Sequence, residues 1–357
     1  MGMQAVGAWL TDIDDTLIPS GVFPEDGFVH WLGEFLRTLR SRQVLWVPAS
    51  GVTLDRLGPR LLFRLPPDVL PGVRYYGGDG SLKYRYDSRS HRWREEQGFS
   101  RLLSDAQALA IIGQSEWPAC LGRATVRGPD AGSADHRLDH ARQMLARAGL
   151  PERRGILDEL KDALRAEGYD PQASVCYFRG GSVSWLMLGD TSAEPYREPR
   201  AAATRARLLD LARGLLAERR GLRAVGDTGV CLPFPGARGI KFVLEGIDKE
   251  RAVRDLMARE GLAAQRLLYA GNEIFAGGND DRLRRIEGIT LLSLGEKTDA
   301  GPGVVDGCLA EDRQAVREVE ANRRWMDYTR RALESGTSWP ELLEDILRAG
   351  AALLKVQ

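Results

Sequence analysis

The chain has 357 residues, 43% of them hydrophobic, enough for one or two genuine cores and too apolar for wholesale disorder. Its 50 basic and 50 acidic side chains cancel, and no long basic run stands out, which argues against nucleic acid or an anionic membrane as partner. With no run of 18 apolar residues, no basic-then-apolar leader pattern, and Cys120, Cys176, Cys231 and Cys308 far apart in sequence, the expectation is a soluble, cytoplasmic protein with free thiols.

Val6 to Leu10 is apolar enough for a buried strand and leads into the acidic loop Thr11 to Thr16. Phe28, Leu32, Phe35, Leu36 and Leu39 recur at helical spacing, and Val44 to Val47 predicts a second strand ending at Pro48-Ala49-Ser50-Gly51. Strand, helix, strand is the repeating unit of a parallel sheet covered by helices. Tyr75 to Gly77 and Leu82 to Tyr86 read as two short strands around a tight turn. From about Asp87 the character changes: a polar stretch at 91–97, helices over 135–148 and 155–166, strands over 174–178 and 183–188 joined at Arg179-Gly180-Gly181-Ser182, and a long helix over 201–219. Parallel-sheet character resumes with a helix from Lys249 to Glu260, strands over 266–270 and 289–294, and the polar loop Gly271 to Asp281 between those strands. The end of the chain, from about 311, reads as charged helix.

These elements predict an α/β fold, a Rossmann-like parallel-sheet core over 1–87 and 246–310, with a large inserted α+β cap over 88–245 and a helical tail over 311–357. In an open parallel sheet, loops at the carboxyl ends of strands converge on one crevice, where ligands bind. Three such loops carry Asp12-Ile13-Asp14-Asp15-Thr16, Ser50-Gly51, and Asn272-Glu273 through Asn279-Asp280, and a helix start carries Lys249. Carboxylates facing oxygen ligands suit magnesium, which takes one or two carboxylates with waters and substrate phosphate. Asp12, at the strand mouth, is placed to attack phosphorus. An anion attacking a dianion needs neutralising charge, supplied by a divalent cation and Lys249. Asp14 is placed for proton transfer and Ser50 for a hydrogen bond to a phosphate oxygen. The chain has only 6 lysines and 3 asparagines, so Lys249, Asn272 and Asn279 are poor candidates for filler.

Asp12-Ile13-Asp14-Asp15-Thr16-Leu17 resembles the first motif, DxDx(T/V), of the haloacid-dehalogenase-like (HAD) phosphohydrolases. Gly246 to Val253 resembles the lysine motif of the branch with Cof-type sugar phosphatases, sucrose-phosphate phosphatases and phosphomannomutases. Gly271 to Asp280 is similar to that branch's fourth motif, closest to phosphomannomutase in its Gly-Gly-Asn-Asp ending; Val47 to Ser50 fits the second, and Gly78-Asp79-Gly80-Ser81 sits where the family shows Asn-Gly-Ala. The motifs occur in family order over about residues 5 to 300.

The resemblance implies a HAD-type core, Asp12 as nucleophile, Asp14 as general acid/base, and Ser50, Gly51 and Lys249 around the transferring phosphoryl group. It implies magnesium held by Asp12, Asp14 and position 272, with Thr16, Glu273, Asn279 and Asp280 in support. Position 272 departs from the family, with Asn for the usual Asp; Glu273 and Asp280 are the residues able to compensate. Phe178-Arg179-Gly180-Gly181 faintly resembles the phosphomannomutase cap segment, making Arg179 a candidate substrate clamp, whereas Gly189-Asp190 lacks that segment's arginine and counts against a mutase. The expected function is a magnesium-dependent phosphatase acting on a small phosphomonoester, a sugar phosphate first, through an aspartyl-phosphate on Asp12. The alternatives are a sugar phosphomutase and a catalytically degenerate binding or regulatory protein. Oligomeric state stays open, a homo-oligomer included.

Overall fold

A computed structural model describes residues 5–122, 134–147, 154–189, 194–218, 231–236, 239–275, 278–295, 298–299, 301–309 and 318–355. The chain divides into two compact units, one built from 1–99 and 248–357, the other from 100–247. Among the described residues no helix is long and apolar enough to cross a membrane.

The strands, in chain order, are β1 (Gly7–Asp12), β2 (Val44–Ala49), β3 (Arg74–Gly77), β4 (Leu82–Asp87), β5 (Arg92–Glu95), β6 (Val175–Phe178), β7 (Ser182–Leu186), β8 (Cys231–Gly236), β9 (Gly239–Leu244), β10 (Leu267–Gly271), β11 (Thr290–Ser293) and β12 (Val304–Asp306). The first unit holds an eight-stranded sheet in the order β12-β11-β10-β1-β2-β3-β4-β5. Pairing is parallel from β12 to β3 and antiparallel across β4 and β5. Every residue of β1, β2 and β10 is buried, as strands covered on both faces require, and their sequences are correspondingly apolar apart from Thr11 and Asp12 at the end of β1.

Alternation along β1 sorts side chains to two faces. Trp9 joins a core with Val29, Leu32, Phe35, Leu36 and Leu39 of the helix Asp26–Ser41. Ala8 and Leu10 join the opposite core with Ala252, Val253 and Leu256 of the helix Lys249–Glu260. Asp12, two residues past Leu10, therefore continues the row that faces the lysine helix. The chain crosses from β1 to β2 on one side and later enters β10 on the other, so β1 lies at a switch point in strand order.

In the first unit, two features differ from the sequence reading. Residues 92–95, a polar stretch of the expected insertion, form β5 at the sheet edge, where exposed Arg and Glu side chains are at home. The expected tail is part of the first unit's core: its helices Glu318–Glu334 and Trp339–Ala349 bury Trp325, Met326, Trp339 and Ile346. Trp339 packs against Trp9 with ring centroids 6.3 Å apart, and its indole N–H donates to the Arg266 carbonyl at 2.8 Å. Gly7 permits this approach, since a Cβ there would lie 2.1 Å from the indole.

The second unit has an antiparallel sheet, β6-β7-β9-β8, beneath a core that includes Leu109, Ile112, Leu160, Leu164, Leu208 and Leu215 from its helices. β8 and β9 were not anticipated, because Pro233 and Pro235 interrupt the sequence pattern; both lie in the edge strand, where proline is tolerated. Cys120 and Cys176 are buried free thiols with their sulfurs 3.0 Å apart.

Candidate active site

Register brings the site together. Thr11 pairs with Ala270 and Asp12 with Ala49, so Asp12 ends its strand between Gly271 and Ser50. Beyond Asp12 the chain folds back, with the Ile13 carbonyl accepting from the amides of Leu17 and Ile18. Asp15 takes a left-handed conformation, φ 59°, and its carboxylate accepts from the Ser20 amide and hydroxyl, both at 2.9 Å. A short acidic side chain tolerates that backbone better than most residues.

Lys249 is the first residue of its helix, whose N-terminus Asp248 caps by accepting from the Arg251 amide at 2.9 Å. Its side chain is only 2% exposed. Nζ lies 2.9 Å from Asp12 Oδ1 and 2.6 Å from Asp280 Oδ1, and donates to the Tyr269 hydroxyl at 2.9 Å. Tyr269 in turn donates to Asp280 Oδ1 at 2.9 Å. Three segments distant in sequence thus meet at one ammonium group.

Charge in this cluster is unbalanced, with one ammonium set against two buried carboxylates. Burial pushes Asp12 upward against the pull of Lys249, the Asp280 charge pushes it further, and its carboxyl rises to about 7. Burial alone would lower Lys249, but Asp12 and Asp280 together hold it well above the usual lysine range, so the ammonium keeps its proton. Burial, then Asp280, raises the Tyr269 hydroxyl, which stays neutral and free to donate.

Asp280 has no exposure, and its Oδ2 is buried with no hydrogen-bond partner among the described residues. It occupies space that a Cβ on Gly271 would fill, 2.4 Å from that atom's position. An excess of negative charge, an orphaned carboxylate oxygen and an all-oxygen donor set fit a hard divalent cation. Among the described residues, no three His, Cys, Asp or Glu side chains converge as a ready-made metal cage. The donors fit a magnesium site completed mainly by waters and a substrate oxygen.

The remaining expected residues fall in several places. Ser50, 1% exposed, accepts from the Val52 amide at 3.2 Å and reaches Asp14 Oδ2 at 3.4 Å. Gly51 follows it in the same loop. Thr16 is fully buried below the acidic loop. Asn272 follows β10 directly, and its carbonyl backs onto Gly295, where a Cβ would lie 1.8 Å away. Glu273 closes the late loop by accepting from the Asn279 amide at 3.1 Å, and its carbonyl accepts from the Asp280 amide at 3.3 Å. Arg179 belongs to the β6–β7 turn of the second unit, its guanidinium 5.4 Å from the Tyr177 ring centroid.

Three participants escaped the sequence reading. Tyr269 lies within the expected strand over 266–270 with no local mark, and its position opposite Leu10 puts it on the Asp12 face. Arg60 pairs with Asp14, Nη1 to Oδ1 at 2.9 Å, yet nothing distinguishes it in a chain so rich in arginine. Asn322, on a tail helix and 1% exposed, donates to the Thr16 carbonyl at 3.1 Å and so supports the acidic loop from below. It is the third of the chain's three asparagines, a signal that was available.

No protein-family model and no curated protein sequence matches the chain. Solved structures do. The IMP-bound, N-terminally truncated IMP-nucleotidase of Plasmodium falciparum is 10% identical with a TM-score of 0.46, over 88% of this chain and 68% of its own. The sucrose-phosphatase of Synechocystis, in complex with sucrose and phosphate, is 12% identical at 0.39, over 81% and 82%. The trehalose-6-phosphate phosphatase of Aspergillus fumigatus is 12% identical at 0.39, over 88% and 92%. At these identities and scores the likenesses carry no argument, and both fold and chemistry rest on this chain's own residues.

Proposed function

We propose that this protein is a phosphatase that hydrolyses a small phosphomonoester, a sugar phosphate in the first instance, through a phosphorylated Asp12. The observation that carries the reading is the Lys249 ammonium set between Asp12 and Asp280 at 2.9 and 2.6 Å, at the carboxyl end of β1. A buried carboxylate at a strand mouth, beside a fixed cation, is the arrangement that nucleophilic attack on a phosphate dianion needs.

Asp12 forms the new bond to phosphorus as the ester P–O bond breaks, and the departing oxygen takes a proton from Asp14. Water then attacks phosphorus, Asp14 takes the proton back, and the Asp12–phosphorus bond breaks to release phosphate. Lys249 neutralises the phosphoryl oxygens in both steps, and Tyr269 and Asp280 keep the ammonium from swinging away. Ser50 supplies a hydrogen bond to the transferring group. Magnesium, held by Asp12, the Asp14 backbone carbonyl, Asn272 and Asp280 within the same loops, would supply the further positive charge the phosphoryl group requires.

Phosphate release from a panel of phosphorylated metabolites, with and without magnesium, tests the reading. Asp12→Asn is expected to abolish turnover and the acid-stable phosphoenzyme; unchanged turnover overturns the mechanism. The uncharged Asn272 favours a second reading, a binding protein that has lost catalysis. Binding of phosphorylated ligands by wild-type protein without any phosphate release would select it. An isomerised sugar phosphate as product, in place of free phosphate, would select a mutase.

A further inference from the structure

Arg60, outside the expected site, is nearly buried, with its side chain 10% exposed. It sits in a π-helical turn, Gly58–Leu62, closed by the Phe63 amide donating to the Gly58 carbonyl at 2.8 Å. Such turns widen the backbone locally and recur at functional sites. Each of the three guanidinium nitrogens donates a hydrogen bond. Nη1 donates to Asp14 Oδ1 at 2.9 Å, Nε to the Val22 carbonyl at 3.2 Å, and Nη2 to the Pro19 carbonyl at 3.1 Å. Two of these anchors are backbone atoms of the segment that follows Asp14, so the planar fork has one orientation and its third bond has one target. A lysine could carry the charge but not this geometry.

The consequence falls on Asp14. Its Oδ1 is tied to Arg60, while Oδ2 is the oxygen within 3.4 Å of the Ser50 hydroxyl. We infer that Arg60 is a positioning residue that locks the Asp14 carboxylate by one oxygen and presents the other, Oδ2, for proton transfer beside Ser50. The inference rests on the phosphatase reading above. In the first step the Asp14 Oδ2–H bond breaks and the proton joins the leaving oxygen, which keeps the electron pair of the broken P–O bond. In the second, a water O–H bond breaks as its oxygen bonds phosphorus, the proton returns to Oδ2, and Asp12 leaves with the electron pair of its bond to phosphorus. A side chain free to rotate would meet the leaving oxygen less often in a reactive orientation.

The test compares p-nitrophenyl phosphate with phenyl phosphate, esters of similar size whose leaving groups differ in their need for a proton. Arg60→Gln, Arg60→Lys, Asp14→Asn and the Asp14→Asn/Arg60→Gln pair are measured beside wild type. Arg60→Gln is expected to lower kcat for phenyl phosphate about 10²-fold, the low end for general acid–base catalysis, and to lower phosphorylation by p-nitrophenyl phosphate much less. KM is expected to stay nearly constant, and the double variant to be no slower than Asp14→Asn alone. Should Arg60→Gln not fold, Arg60→Lys, which keeps the charge without the fork, is expected to show the same substrate split. Equal losses on both esters, or multiplicative losses in the double variant, would overturn the assignment of Arg60. Wild-type turnover of both esters that survives Asp12→Asn would instead overturn the phosphatase reading beneath it.

Discussion

Replacing Lys249 with methionine keeps most of the side chain's bulk and removes one charge. What remains is a pair of carboxylates, Asp12 and Asp280, with side chains 11% and 0% exposed and no cation between them. Taking one partner from a buried ion pair costs about 3–5 kcal/mol, and here a single ammonium serves two acids, which places the expected loss toward the upper end of that range. In a unit of about two hundred residues, each kcal/mol moves the melting temperature by ~2–4 °C, so a fall of roughly 10–20 °C is expected near neutral pH.

The loss carries a pH signature. A carboxyl raised from 3.8 to about 7 on folding contributes stability that is full below the lower value and disappears as pH rises through the higher one. Without Lys249 the Asp12 carboxyl is pushed higher still, so wild type and variant are expected to converge toward about pH 5 and diverge toward about pH 8. Scanning calorimetry across that range, without divalent cations, measures both effects. Adding Asp280→Asn to Lys249→Met removes one of the two stranded charges and is expected to recover part of the loss. A Lys249→Met protein that melts within about 2 °C of wild type at every pH would refute the shared-ammonium arrangement.

Other perturbations probe separate parts of the structure. Gly80 has φ +89°, and a Cβ there would lie 2.1 Å from the Asp248 carbonyl at the start of the lysine helix. Gly80→Ala is therefore expected to cost at least about 1–3 kcal/mol in melting experiments and to lower turnover by displacing Lys249. Burial raises Asp255, but bonds from Lys83, Tyr76 and Arg259 more than offset this and hold it below its ordinary value of 3.8. Its contribution is full above that value and fades as pH falls through the lower folded one, so the gap between wild type and Asp255→Asn is expected to close below about pH 4; a gap constant with pH would contradict this. Asn272→Asp is expected to tighten magnesium binding roughly tenfold, equivalent to ~1.4 kcal/mol, in titration calorimetry. Unchanged affinity would place the cation away from residue 272.

Much of the arrangement was legible along the chain because it depends on local pattern. The apolar strands with acidic or small-polar ends, the helix starting at Lys249 and the Asn-Asp turn after Gly-Gly all announce themselves within a few residues. Their order predicts a parallel sheet, and a parallel sheet carries its strand ends to one side. The convergence of Asp12, Lys249 and Asp280 follows from that geometry, and the structure supplies the distances.

Other features depended on contacts made across long stretches of sequence. Residues 92–95 look like a polar loop, and only the free edge offered by β4 makes them a strand. The tail reads as a surface helix until Trp325 and Trp339 are seen filling a core that the earlier strands leave open, and Asn322 is seen holding the acidic loop. Tyr269 and Arg60 carry no local mark, since a tyrosine in a strand and an arginine in an arginine-rich chain are ordinary. Their roles come from the partners that folding places beside them. Sequence alone determined which charged groups stand at the strand ends and the helix start; tertiary structure decided which are held still, because a buried charge takes its orientation from every neighbour packed around it.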